Sequence, residues 1–260
     1  TDIKPATHYI DTHIEEVVML PLVDAKKIAE ANFTVVVDGV NSTGGIAIPR
    51  LLKRLGVNVV ELYCEPTGHF PHNPEPLKEH LTDICGLVKE KKADLGVVVD
   101  PDVDRLAFIS EDGEMFGEEY TLVACADYVL SKTPGNTVSN LSSSRALRDI
   151  TQKHGGTYRA SAVGEVNVVQ LMKDTNAIIG GEGNGGIIYP ELHYGRDSLV
   201  GVALFLTFLS EKKMKVSELR KTYPAYYMSK NKIELTPELD VDNILKEVEK
   251  KYAGEEVSTV

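Results

Sequence analysis

Leu95-Gly-Val-Val-Val-Asp100-Pro-Asp102-Val-Asp104-Arg105-Leu-Ala-Phe-Ile109 is the stretch that decides the fold. Its opening, Leu95 to Val99, is a short apolar run of the kind that forms a buried strand. Three carboxylates at alternate positions close it, with Pro101 stiffening their loop and Arg105 following at once. A second apolar run then leads into the turn Glu111-Asp112-Gly113, which predicts a hairpin partner for the strand. Several oxygens on such a loop can face one point, and like charges a few ångströms apart repel unless a cation neutralises them. A small set of hard oxygen ligands suits Mg²⁺ better than a transition metal. The plain alternative is a solvated acidic loop with Asx-turn chemistry. Arg105 argues against it, because a fixed cation beside a metal site points to a multiply charged anion, such as a phosphate, held there as well.

Working outward towards the N-terminus, Thr34 to Asp38 and Val57 to Leu62 are further short strands. A helix from Ile46 to Leu55 lies between them, and a second, Leu77 to Lys91, precedes the aspartate strand. Residues 8 to 30 carry a helical pattern interrupted at Pro21. This β-α-β-α-β alternation predicts a mostly parallel sheet with helices on both faces. It places the aspartates at a strand's carboxyl end, where open α/β sheets bind ligands. The loop Gly39 to Gly45 could offer a helix N-terminus to an anion, although it lacks dinucleotide and P-loop spacing. In Thr67-Gly-His-Phe-Pro-His-Asn-Pro-Glu-Pro76 the prolines make a stiff loop. Its two histidines lack the further ligands of a metal site, so the loop is expected to buttress its neighbour.

Towards the C-terminus, Glu118 to Leu130 forms a helix, and Ser131-Lys-Thr-Pro134-Gly135-Asn136 is the best domain boundary. The βαβα logic then repeats. Ser142 to Ser144 precede a helix and have no spaced partner to activate a nucleophile, so capping is the preferred role. Ala177 to Gly180 is a strand running into Gly181-Glu182-Gly183-Asn184-Gly185-Gly186. The glycines let a ligand approach the backbone, and a carboxylate beside an amide, Glu182 and Asn184, suits a pair of sugar hydroxyls. The alternative is a bare glycine turn. Asp197 to Glu211 is an apolar helix, and an amphipathic one is expected from about 237 to 252. The fold class is therefore α/β: two consecutive α/β domains, each a mostly parallel sheet flanked by helices.

Three stretches in this order, Phe70-Pro-His-Asn-Pro-Glu-Pro76, Asp100-Pro-Asp-Val-Asp-Arg105 and Gly181-Glu-Gly-Asn-Gly-Gly186, resemble the α-D-phosphohexomutase family of phosphoglucomutases, phosphomannomutases and phosphoglucosamine mutases. Those enzymes have four domains, and this chain is similar to the second (1–134) and third (135–225), which implies that 226–260 is a linker or the start of the fourth. The resemblance implies Mg²⁺ held by Asp100, Asp102 and Asp104, a phosphoserine phosphate contacted by Arg105, and a hexose phosphate (of glucose, mannose or glucosamine) held by Glu182 and Asn184. It also implies that the phosphoserine donates its phosphoryl group, giving a bisphosphorylated sugar that turns over and returns the other phosphate. The family's serine loop and the phosphate-clamping loop of its fourth domain have no match here. Domains I and IV are thus expected to be missing, and the chain alone is expected to be inactive. Many members carry glycine where this chain has Val103 and histidine where it has Gly186; the latter departure suggests a relative nearer the phosphoglucosamine-type enzymes.

Composition agrees with this class and narrows the rest. The 260 residues, 42% hydrophobic and 26% charged, suit one or two cytoplasmic domains with real cores. A net charge of −11 without a basic tract excludes nucleic acid as a natural partner. Neither a signal peptide nor a membrane-length apolar run is expected. Cys64, Cys85 and Cys125 lack zinc or redox spacing and suggest reduced thiols. Two rival readings remain. A haloacid-dehalogenase-type phosphatase would place its Asp-x-Asp strand near the domain start and carry a downstream Asp-Asp pair. A Ca²⁺-binding module would show the glycine and distant Glu of an EF-hand.

Overall fold

The computed structural model describes residues 8–228, 234 and 240–254. Two helices come first, α1 (Tyr9–Val18) and α2 (Ala25–Ala31), broken around Pro21. Then follow β1 (Thr34–Asp38), α3 (Gly44–Arg54), β2 (Asn58–Leu62), α4 (Thr82–Lys91), β3 (Leu95–Val99) and β4 (Leu106–Ser110). The expected helix from Leu77 is shorter: the proline-rich segment keeps Leu77 extended, a 3-10 turn covers Lys78–His80, and α4 proper starts only at Thr82. Strand order is β2-β1-β3-β4, with β4 antiparallel to β3 and the rest parallel. The hairpin register pairs Val99 with Leu106 and Val97 with Phe108, so the acidic loop is the connection between them.

Every residue of β3 and β4 is buried, which explains unbroken apolar runs in place of alternation. Their period of two is still visible in what each residue meets. Val36, Val98, Ala107 and Ile109 pack with Ile84 and Val88 of α4 on one face. Val35, Val37, Val97, Val99, Leu106 and Phe108 join a larger core on the other.

The second half adds α5 (Glu118–Lys132), β5 (Asn136–Asn140), α6 (Ala146–Lys153), β6 (Tyr158–Ser161), α7 (Glu165–Thr175), β7 (Ala177–Gly181), β8 (Ile187–Ile188), α8 (Ser198–Lys212) and α9 (Val216–Lys221). Its sheet has the order β6-β5-β7-β8, again with an antiparallel last strand. Val168 and Met172 of α7 close its outer face over Val138 and Ile188. The inner faces of both sheets meet one common helical layer. Helix α5 is buried from Tyr120 to Leu130 and packs on both β4 and β7; α8 is buried from Ser198 to Leu209 and packs on β4 and β8. A helix apolar on all sides belongs inside a structure. Phe108, Phe116 and Phe205 interlock there, with Phe108 stacked on Phe205 at 3.9 Å between ring centroids. The polar link from Ser131 to Asn136 joins α5 to β5, and the larger core runs from Ile14 to Tyr223 on both sides of it.

The chain divides into a compact unit ending at Pro224 and a second beginning at Ala225. In the second, α10 (Val241–Lys251) has Asp240 as its side-chain cap and no buried residue. The expected start of that helix, at about 237, lies outside the described residues. No helix among the described residues is long and apolar enough to cross a membrane.

Candidate functional site

The β3–β4 hairpin brings the three aspartates together. One oxygen from each of Asp100, Asp102 and Asp104 lies within 4.8 Å of the others. Asp100 is buried, and its Oδ1 accepts from the backbone N–H of Asp104 and of Arg105 at 3.1 and 3.0 Å, which shapes the loop. Asp102 is exposed and Asp104 half-buried. Burial, followed by the charge of Asp100, pushes the Asp104 carboxyl up from its ordinary 3.8 to about 7, against the opposing pull of Arg196. Burial likewise raises Asp100. Carboxylates this uneasy about ionising together are relieved by a cation. The donor set, made of carboxylate oxygens alone, is of the kind that suits Mg²⁺.

Arg105 lies beside this cluster, its Nε 3.6 Å from Asp100 Oδ2 and 3.9 Å from Asp104 Oδ1. Nε is buried without a hydrogen-bond partner, while Nη1 donates to Glu75 at 3.2 Å. Glu75 belongs to the proline loop, which therefore does bear on the site. That loop also sends His72 Nε2 to within 3.0 Å of Asp38 Oδ2 at the end of β1. Burial pushes Asp38 up, and the paired histidine works the other way. Ser42 of the β1–α3 loop donates to the carbonyl of Pro101 at 3.0 Å, bracing the acidic loop from the other side.

The glycine loop is docked against the start of β4. The Leu106 N–H donates to Gly185 O at 3.1 Å. Gly185 has φ +91°, and a Cβ there would come 2.3 Å from Leu106 O, so only glycine allows the approach. Glu182 and Asn184 differ in placement. Glu182 is buried, accepting from Asn140 Nδ2 at 2.7 Å and Arg196 Nη1 at 2.8 Å. Asn184 is half-buried, its Oδ1 accepting from the Gly186 N–H at 3.2 Å. Among the serines, Ser144 Oγ accepts from Ala146 N–H at the head of α6 and Ser143 donates to Asn140.

Arg196 is the functional residue that sequence reasoning misses. Its Nη2 donates to Asp104, its Nη1 to Glu182, and its Nε to Glu165 at the start of α7. One guanidinium thus fastens the acidic loop of one sheet to the glycine loop of the other. Six carboxylates, from Glu75, Asp100, Asp102, Asp104, Glu165 and Glu182, gather around Arg105 and Arg196, an excess of negative charge that a divalent cation would reduce. The one local signal was the charged pair Arg196-Asp197 standing directly before an apolar helix.

Comparison with known proteins bears on this geometry. The family model for phosphoglucomutase/phosphomannomutase, alpha/beta/alpha domain II, matches residues 8–113, and that for domain III matches residues 117–227. The chain belongs to the phosphoglucomutase/phosphomannomutase family, the α-D-phosphohexomutases. It is 37% identical over 212 residues to a phosphoglucomutase/phosphomannomutase of Thermococcus kodakarensis, covering 81% of this chain and 46% of that protein. It is 30% identical over 264 residues to a phosphoglucosamine/phosphogalactosamine mutase of Sulfurisphaera tokodaii, covering 100% of this chain and 58% of that protein. The crystal structure of a phosphoglucomutase/phosphomannomutase family protein from Burkholderia thailandensis superposes with a TM-score of 0.75 at 29% identity, covering 83% of this chain and 46% of that one. The chain spans about half the length of the curated relatives it matches.

Proposed function

We propose that this chain supplies the metal-holding and sugar-holding portion of a phosphohexomutase, an isomerase that moves a phosphoryl group between the 1- and 6-positions of a hexose phosphate through a phosphoserine and a bisphosphorylated sugar. Asp100, Asp102 and Asp104 are the residues that would hold Mg²⁺. When bound, the ion neutralises charge on the transferring phosphoryl oxygens. Arg105, a cation beside the acidic loop, holds the phosphate delivered by a serine outside this chain. Glu182, fixed by Asn140 and Arg196, and Asn184 beside it orient the sugar hydroxyls. Phosphoryl transfer asks little covalent chemistry of a protein, so positioning and charge are what this portion contributes. In this reading 1–134 and 135–225 act as domains II and III, domains I and IV complete the enzyme, and 226–260 leads towards the latter. The free thiols of Cys64, Cys85 and Cys125 agree with a cytoplasmic setting.

The observation that carries this proposal is the bridge of Arg196 from Asp104 to Glu182, which ties the acidic loop to the glycine loop. Calorimetric titration with Mg²⁺, followed by glucose, mannose and glucosamine phosphates, tests it. Saturable Mg²⁺ binding is expected, lost in Asp102→Asn while the thermal midpoint without metal stays put, because Asp102 is exposed. Mg²⁺ binding that Asp102→Asn leaves unchanged would move the ion elsewhere and remove the basis of the assignment.

A further inference from the structure

A second set of metal-ligating side chains lies beside the acidic loop, where α1 packs against the head of α8. His13 Nε2 stands 2.6 Å, and His193 Nε2 3.0 Å, from the same atom, Oδ2 of Asp197. One ligand atom from each of the three lies within 4.8 Å of the other two. Asp197 is 6% exposed, and its Oδ1 is already committed to capping α8 by accepting from the N–H groups of Leu199 and Val200. The cap therefore fixes the carboxylate and aims its second oxygen at both rings. A helix cap needs only the first oxygen, so the capping role leaves the convergence of two imidazoles on the second unexplained. Burial disfavours ionisation of Asp197, yet the hydrogen bonds from His13 and His193 outweigh it and hold the carboxyl well below the usual range.

Two imidazole nitrogens and one carboxylate oxygen form the donor set of open three-ligand transition-metal sites, a chemistry the all-oxygen aspartate loop does not offer. A cavity of about 330 Å³, lined by His13, His193 and Asp197 together with Asp102 and Arg196, leaves room for a fourth ligand. Glu16 lies 4.0 Å from His13 Nδ1, on the side where an outer carboxylate would hold the proton and leave Nε2 free.

We propose that His13, His193 and Asp197 form a binding site for a divalent transition-metal ion of the zinc class, adjoining the aspartate loop but with its own ligand set, and stapling α1 to the N-terminus of α8. On binding, the two Nε2–H···Oδ2 hydrogen bonds are given up. A doubly protonated ring releases its Nε2 proton to solvent and keeps the one on Nδ1, while a neutral ring loses the Nε2 proton to solvent and takes one up at Nδ1, so that each ring ends neutral with Nε2 free.

The test is calorimetric titration of the chain with zinc chloride while Mg²⁺ saturates the acidic loop, with cobalt(II) absorption as a second readout. A single saturable zinc event and the visible bands of low-coordinate cobalt are expected, both lost in the His13→Gln/His193→Gln double variant. Glutamine keeps a donor towards Asp197, and a cooperative melt without zinc checks that the variant folds. Nitrogen-15 spectra of the unaltered chain need no variant: zinc should shift the Nε2 resonances of two histidines and leave the other rings in place. Absence of a saturable zinc event, binding that survives the double variant, or zinc shifts at other histidines would overturn the assignment.

Discussion

Val103 occupies the turn of the acidic loop with φ +64°, a left-handed conformation that costs a β-branched residue roughly 1–3 kcal/mol. The side chain is nevertheless buried, and its carbonyl accepts from the Ser198 N–H, so packing and that hydrogen bond hold the strain. The backbone at this position is thus one that glycine would adopt without strain. It also reverses the usual order of substitutions. Val103→Gly should prove more stable to urea than Val103→Ala, by on the order of 1 kcal/mol, whereas glycine is ordinarily the worse of the two. The opposite ranking would show that the turn is not strained. At the neighbouring Asp104 a proton carries the information. With its carboxyl raised from 3.8 to about 7, the metal-free folded chain holds a proton there that the unfolded chain has already lost. This group's contribution to stability is therefore full below its ordinary value and disappears as pH climbs through about 7. Mg²⁺ must expel that proton, so its affinity should rise with pH through the same window. Binding heats at pH 6 in buffers of different ionisation enthalpy measure the release; heats independent of buffer would refute it.

Among elements, the glycine loop is set by what lies over it. A Cβ on Gly186 would meet Arg196 Cδ at 2.4 Å, so a side chain at 186 and Arg196 in its present place exclude one another. Gly186→Ala should displace an arginine pinned on three carboxylates and lower stability by roughly 2 kcal/mol in urea melts. Gly86 in α4 is the internal contrast. Nothing lies within 4 Å of a Cβ there, so Gly86→Ala should raise stability by about 0.5–1 kcal/mol. If both changes shift the midpoint alike, the close approach at Gly186 is not what matters. Strand β3, the acidic loop and β4 were legible because their signal is local: an apolar run, alternating acids, a second run and a turn. Arg196 was not, because its three partners lie 14, 31 and 92 residues away and only the completed fold collects them. The inward turn of Glu182 was hidden for the same reason, its partners being Asn140 at the end of β5 and Arg196 just before α8.

For the molecule as a whole, the sequence pattern foretold two βα series but not the layer they share. Periodicity says that Phe108 and Phe205 are buried; it does not say that they stack on each other across the halves at 3.9 Å. The sharing has a measurable outcome. Residues 8–113 produced alone would expose the inner faces of β3 and β4, including Val97, Val99, Leu106 and Phe108, and should not show a cooperative melt. The segment through residue 224, with α5 and α8 in place, should show one single transition. Independent cooperative melting of the shorter piece would contradict a common core.

The helical layer also works as a spacer. Because α5 and α8 touch both sheets, the gap between the acidic grip and the glycine grip is a constant of this block, fixed by side-chain packing and indifferent to what occupies it. Those two grips cannot part like jaws. Any movement that widens or narrows the space between the two loops would have to break the packing of Phe108 on Phe205.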